Sequence, residues 1–130
     1  MRKFIIAAAI SLLASTTVAQ DIEKNPGREQ AINGQVMDVV STGIGLALGA
    51  VETNPVGIIA PVIKIYLASE IDKAPLEEQP HLWAIYGSLG WAATANNACV
   101  ILSILTGGGF SIVCPFIGIG TGITYYNSRE

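Results

Sequence analysis

Asp38 is the residue whose type and setting most demand a chemical explanation. Gln35, Asp38, Thr42, Gly45, Gly49 and Glu52 recur at alternating spacings of three and four, which puts them on one stripe of a helix. Val36, Val39, Val40, Ile44, Leu46, Leu48 and Val51 take the other faces. A carboxylate in such a segment is costly in lipid and calls for a partner, and Lys64 is the basic residue that the neighbouring segment offers. Two readings stand together. In one, Asp38 and Lys64 pair within a polar pathway or ligand groove. In the other, Lys64 snorkels to the interface, Asp38 sits near the headgroups, and the stripe is plain helix packing.

Asn96 and Asn97 pose the same demand, because amides in an apolar helix must bond across to another helix or to water. They belong to a small-residue seam, Ala84, Ser88, Ala92 and Asn96, repeating at intervals of four. Gly118 and Gly122 form a small-xxx-small pair, a pattern that serves a tight bundle or self-association. Cys99 and Cys114 flank Gly107-Gly108-Gly109, where a hairpin brings two cysteines within bonding range. Export favours the disulfide, whereas the topology below places both thiols toward the cytoplasm, so a bond and two inert thiols both stand.

No constellation points to catalysis. His81 with Glu77 and Glu78 lacks any dedicated ligand spacing and reads as a solvated loop, so no metal or cofactor is expected. The triple glycine is followed by no Lys-Ser/Thr pair, which excludes a phosphate loop. No nucleophile stands beside a base, and an enzyme is not expected.

The elements that position these groups come from the apolar pattern. Residues 1–19 read as a secretory signal peptide, with Arg2 and Lys3, an apolar run from Phe4 to Ala14, and Thr17 and Ala19 before the cleavage point. Residues 20–34 carry Asp21, Glu23, Lys24, Arg28 and Glu29 around Asn25-Pro26-Gly27, and read as a polar extracytoplasmic arm. Residues 35–126 form the helical domain, with apolar segments at 35–51, 56–68, 82–105 and 109–126, and 127–130 a polar tail. Asn54 is placed to cap the second helix with Pro55 at its first position, and Pro61 is expected to kink it. The third segment is long enough to span, the first and fourth are near the lower limit, and the second is short.

Composition points the same way. Of 130 residues, 51% are hydrophobic and 13% charged, against about a quarter charged in an ordinary soluble domain. A chain this small and apolar has too few polar residues to cover its own surface, so lipid is the expected covering. Its formal charge of −3 makes nucleic acid a poor partner.

The run Asp38-Val39-Val40-Ser41-Thr42 followed by Gly49-Ala50-Val51-Glu52-Thr53-Asn54-Pro55 resembles a pattern in small bacterial membrane proteins of unknown function. There, an Asp-x-x-Ser/Thr-Thr helix leads into Gly-x-x-Glu-x-Asn-Pro and a second helix bearing a lysine. The resemblance covers about a third of the chain beyond the leader and implies membrane placement without an activity.

The sequence therefore predicts an all-α membrane bundle of four apolar segments in two hairpins, exported to a bacterial cytoplasmic membrane with both termini outside. Tyr66, Trp83, Tyr86, Tyr125 and Tyr126 then fall at outer helix ends as an interfacial belt. Its expected partners are lipid and either further copies or another membrane protein, in a non-enzymatic accessory or assembly role. The alternatives are an oligomeric channel or transporter for protons or small solutes, and a soluble periplasmic or secreted domain with one disulfide.

Overall fold

Proline and glycine set the boundaries of the helices. The computed structural model describes residues 26–50 and 59–129. Among these residues the fold is all-α: α1 Pro26–Ala47, α2 Ala60–Lys73, α3 Gln79–Leu105 and α4 Cys114–Asn127, with a 3-10 turn at Ser111–Val113. Pro61, Pro80 and Pro115 each stand in the first turn of their helix, where the missing N–H would have no helical partner anyway. The kink expected at Pro61 is therefore corrected, since Pro61 opens α2.

α1 and α3 end in the same way. The Ala50 N–H donates to the Gly45 carbonyl at 2.9 Å and the Gly49 N–H to Leu46 at 3.2 Å, with Gly49 at φ +97°. This is a Schellman motif. Gly108 N–H to Ser103 and Gly107 N–H to Ile104 repeat it at the end of α3. Gly49, expected in the packing stripe, is thus a turn residue, and a Cβ there would meet nothing within 4 Å.

α3 is the central element, and α1 and α4 pack along it extensively while α2 touches α1 and α3 only lightly. α1 runs parallel to α3, with Gln30 near Trp91, Gly34 near Thr94 and Asp38 near Asn97. α2 and α4 run antiparallel to them, as Asp72 meets Arg28 near the start of α1 and Tyr126 meets His81 near the start of α3. The topology is up-down-up-down.

The interior combines one aromatic cluster with close contacts between small residues. Ala31, Trp83 and Tyr86 form a buried cluster, joined by Ile32, Ala68 and Ile71. Elsewhere backbones approach closely: a Cβ on Gly90 would lie 2.7 Å from the Gln35 nitrogen, and one on Gly118 2.7 Å from the Ala92 oxygen.

Several expectations are corrected here. The described part of the arm expected over 20–34 is helix, with Ala31 fully buried, because Ala31 and Gly34 fit against α3 and Arg28 is taken up by Asp72 and the Trp83 ring, while Glu29 stays exposed. The stretch left between the apolar segments 56–68 and 82–105, which holds Glu77, Glu78 and His81, narrows as a loop to Ala74–Glu78, where Gln79 Nε2 caps the end of α2 on the Asp72 and Ala74 carbonyls. Trp83 and Tyr86, expected in an interfacial belt, are core residues at 0% and 7% exposure.

Of the four apolar segments expected in a membrane bundle, the third, already read as the one long enough to span, is the one whose length and composition the structure supports. Among the described residues only Gln79–Leu105 is long and apolar enough to cross a membrane. α2 and α4 have 14 residues each and so rise about 21 Å, short of a hydrocarbon core of about 30 Å. α1 is longer but carries Arg28, Glu29 and Asp38. The leader at 1–19, the turn at Glu52–Pro55 with its Asn54 cap and Val51, and the last tail residue lie outside the described residues.

Candidate functional site

α1 presents Asp38 and, one turn on, Ser41 and Thr42 toward α3. Asn97 answers them with a single amide. Its Nδ2 lies 2.8 Å from Asp38 Oδ1, 2.9 Å from Thr42 Oγ1 and 3.2 Å from Ser41 Oγ, so that its two hydrogens are shared among three acceptors. On the other side Lys64 of α2 pairs with Asp38 Oδ2. The two side chains of that pair are only 15% and 19% exposed, so one carboxylate is held between three helices. Such an arrangement supplies the partners that a poorly solvated charge requires.

The pair is itself positioned from α3. Tyr86 donates its hydroxyl to the Lys64 carbonyl at 2.9 Å, and Gln35 of α1 donates to the Tyr86 carbonyl. Thr94 donates to the Gly34 carbonyl at 3.1 Å. The result is a polar layer crossing the bundle from α2 through α1 to α3.

A second ion pair closes the opposite end of the α1–α2 contact. Arg28 Nε and Nη2 donate to the two carboxylate oxygens of Asp72, both at 2.8 Å, in the two-pronged geometry that favours arginine. The Arg28 guanidinium also lies 5.4 Å from the Trp83 ring centre, within cation–π range. Between the two ion pairs is a cavity of about 290 Å³, lined mainly by apolar residues of α1 and α2, with Gln35, Ser69 and Tyr86 also reaching it.

The sequence-derived residues divide between three places. Gln35, Asp38, Thr42, Lys64 and Asn97 meet in the polar layer. Asn96 joins it weakly through Asn97, at 3.4 Å, while its Cβ faces the α4 helix at Gly118. Gly118 and Gly122 pack against the Ser88–Ala92–Asn96 seam of α3, so the two small-residue patterns are each other's partner within one chain. Gly45 faces Ile101 at ordinary contact distance. Cys99 and Cys114 are joined in a disulfide, with Cα atoms 5.4 Å apart.

Arg28, Ser41, Asp72 and Tyr86 are the members that sequence reasoning missed. Arg28 and Asp72 each lay in a stretch read as solvated, and no spacing rule links residues 44 apart. Ser41 carried a usable signal, one turn beyond Asp38. Among the described residues no group of three His, Cys, Asp or Glu is arranged to hold a metal ion. His81 instead stacks edge-on with Tyr126, ring centres 5.9 Å apart.

No family model matches the chain, and no curated protein or solved structure is significantly similar to it. The geometry must carry the functional reading.

Proposed function

We propose that this chain is a small non-enzymatic membrane protein acting as an accessory or assembly subunit through its helix surfaces. The observation that carries this reading is an inversion of residue size. Outside the Trp83–Tyr86 cluster, glycine, alanine and serine line much of the contact between helices, whereas Leu89, Leu105, Ile112, Phe116, Ile119 and Val62 are each 59–81% exposed. Water does not favour that distribution, because large side chains gain most from burial. A lipid or protein environment does, since packing between helices there relies on small residues. The apolar length of α3 and the mean hydropathy of +0.51 add support.

The test is fractionation of a C-terminally tagged full chain in its host, followed by gentle detergent extraction and size analysis. Retention through an alkaline wash, with a stoichiometric co-purifying protein, is the expected result. Release by alkali in soluble form overturns membrane integration, and a pure homo-oligomer overturns the accessory role.

One observation favours a second reading, an exported domain held wholly outside the cytoplasm. The Cys99–Cys114 disulfide lies at the bundle end opposite Arg28 and Tyr126. With both termini outside and α3 spanning, that end would face the reducing side, where disulfides do not persist. Non-reducing electrophoresis of the fractionated protein separates the two readings. The channel reading draws less support, because Asp38 is already engaged by Lys64 and Asn97 within one chain.

A further inference from the structure

The two ion pairs between α1 and α2 have a consequence for what lies between them. Arg28–Asp72 and Asp38–Lys64 pin the helices at both ends of their contact, ten residues apart on α1, or about 15 Å of helical rise. The middle is not closed. Ile32, Val36, Val39 and Val40 of α1 face Ile65 and Ala68 of α2 across the cavity of about 290 Å³. We infer that this cleft is a binding site for one unbranched alkyl chain, such as the tail of a fatty acid or of a phospholipid.

The walls and dimensions favour that occupant: the lining is mainly apolar, with Gln35 and Ser69 as its polar members between the two ion pairs beside Tyr86, and Gln35 is already bonded to the Tyr86 carbonyl. An apolar cavity does not hold water stably, and one of about 150 Å³ accommodates a benzene ring, so this cleft has room for roughly a dozen methylene-sized groups. A helix about 10 Å across does not fit in that volume. An extended peptide would bring a run of N–H and C=O groups against walls that are mainly valine, isoleucine and alanine and cannot satisfy most of them. An alkyl chain needs no polar partner and can lie along the contact between the two pinned helices. The cations at the rim, Arg28 and Lys64, each have a carboxylate already, so the site reads the chain and discriminates little between headgroups. The inference holds whether the bundle spans the membrane or sits outside it.

Trp83 provides the reporter. It is fully buried and packs in the cluster that includes Ile32 and Ala68, two residues of the cleft wall. The chain has two tryptophans, so a Trp91→Phe background leaves Trp83 as the sole emitter. The full chain in a bile-salt detergent, which has no alkyl tail to compete, is titrated with a bromine-tipped decanoic acid and, separately, with a bromoacyl phosphatidylglycerol. Saturable quenching of Trp83 by either probe is expected, the more effective probe identifying the source of the chain. Val36→Phe, which fills the cleft, should weaken the apparent affinity roughly tenfold or more. Ile65→Phe provides the same test at a position already 55% exposed, where folding is not at stake. Quenching by neither probe, quenching that does not saturate, or equal affinity in Ile65→Phe and the parent overturns the inference. Fractionation judges the membrane reading separately.

Discussion

Asn97 holds Asp38 from the side opposite Lys64, its Nδ2 2.8 Å from Asp38 Oδ1. The carboxylate is thus shared between a cation on α2 and an amide on α3, and it ties together two helices that otherwise touch lightly. Removing one partner of such a pair costs more than removing both, because the remaining charge keeps its desolvation penalty. Lys64→Met should destabilise by about 2–3 kcal/mol, less than a fully buried pair would lose. Asp38→Asn with Lys64→Met should recover part of that. Thermal unfolding in mild detergent followed by circular dichroism checks both, and equal losses in the single and double variants would refute the coupling.

Arg28–Asp72 has better hydrogen-bond geometry but is more exposed, with side chains at 28% and 40%. Solvent and salt screen it. Asp72→Asn should therefore cost no more than about 1 kcal/mol, and the loss should shrink as ionic strength rises. A salt series on the same unfolding assay distinguishes it from the Asp38 pair.

Gly118 and Gly120 make a matched comparison on α4. A Cβ at Gly118 collides with the Ala92 carbonyl, whereas one at Gly120 meets nothing within 4 Å. Gly118→Leu should cost about 1–3 kcal/mol or more by overpacking, and Gly120→Leu should stay within about 0.5 kcal/mol. Because Gly118 packs within one chain, its loss should not depend on protein concentration. Melting measured at several concentrations tests that.

Gly49 and Gly45 separate turn from packing. At φ +97°, Gly49→Leu adopts a left-handed conformation at a cost of about 1–2 kcal/mol. Gly45→Leu instead presses on Ile101. Gly49→Asn should recover most of the Gly49 loss, since asparagine tolerates that conformation. An unchanged melting temperature in Gly49→Leu would contradict the Schellman assignment.

The disulfide closes a loop with a sequence separation of 15, for which chain entropy predicts about 3 kcal/mol of stabilisation. Reduction, or Cys99→Ser with Cys114→Ser, should lower stability by that order. Alkylation before and after reduction checks that protein from its native compartment carries no free thiol at these positions. It connects two helices already packed through Gly118 and Gly122, so the helical content should survive.

The sequence by itself determined which faces the helices present. The three-and-four spacing of Gln35, Asp38 and Thr42, the seam of Ser88, Ala92 and Asn96, and the Gly118–Gly122 pair are local periodicities, set by 3.6 residues per turn. Helix type and the apolar balance were legible for the same reason. Proline was legible only in part: Pro61 marks a boundary as readily as a kink, and the structure shows it in the first turn of α2. Which faces meet is not a local property. Asn97 reaches Asp38 across 59 residues and Lys64 reaches it across 26, and no spacing rule relates such positions. Those contacts depend on how closely α1 approaches α3 at Gly90 and how each helix is rotated about its axis. The same rotation turns Trp83 and Tyr86 inward, although their position near a helix end suggested an interfacial belt. Local periodicity thus selected the residues that need partners, and the close approach of glycine-bearing backbones decided which partners they have.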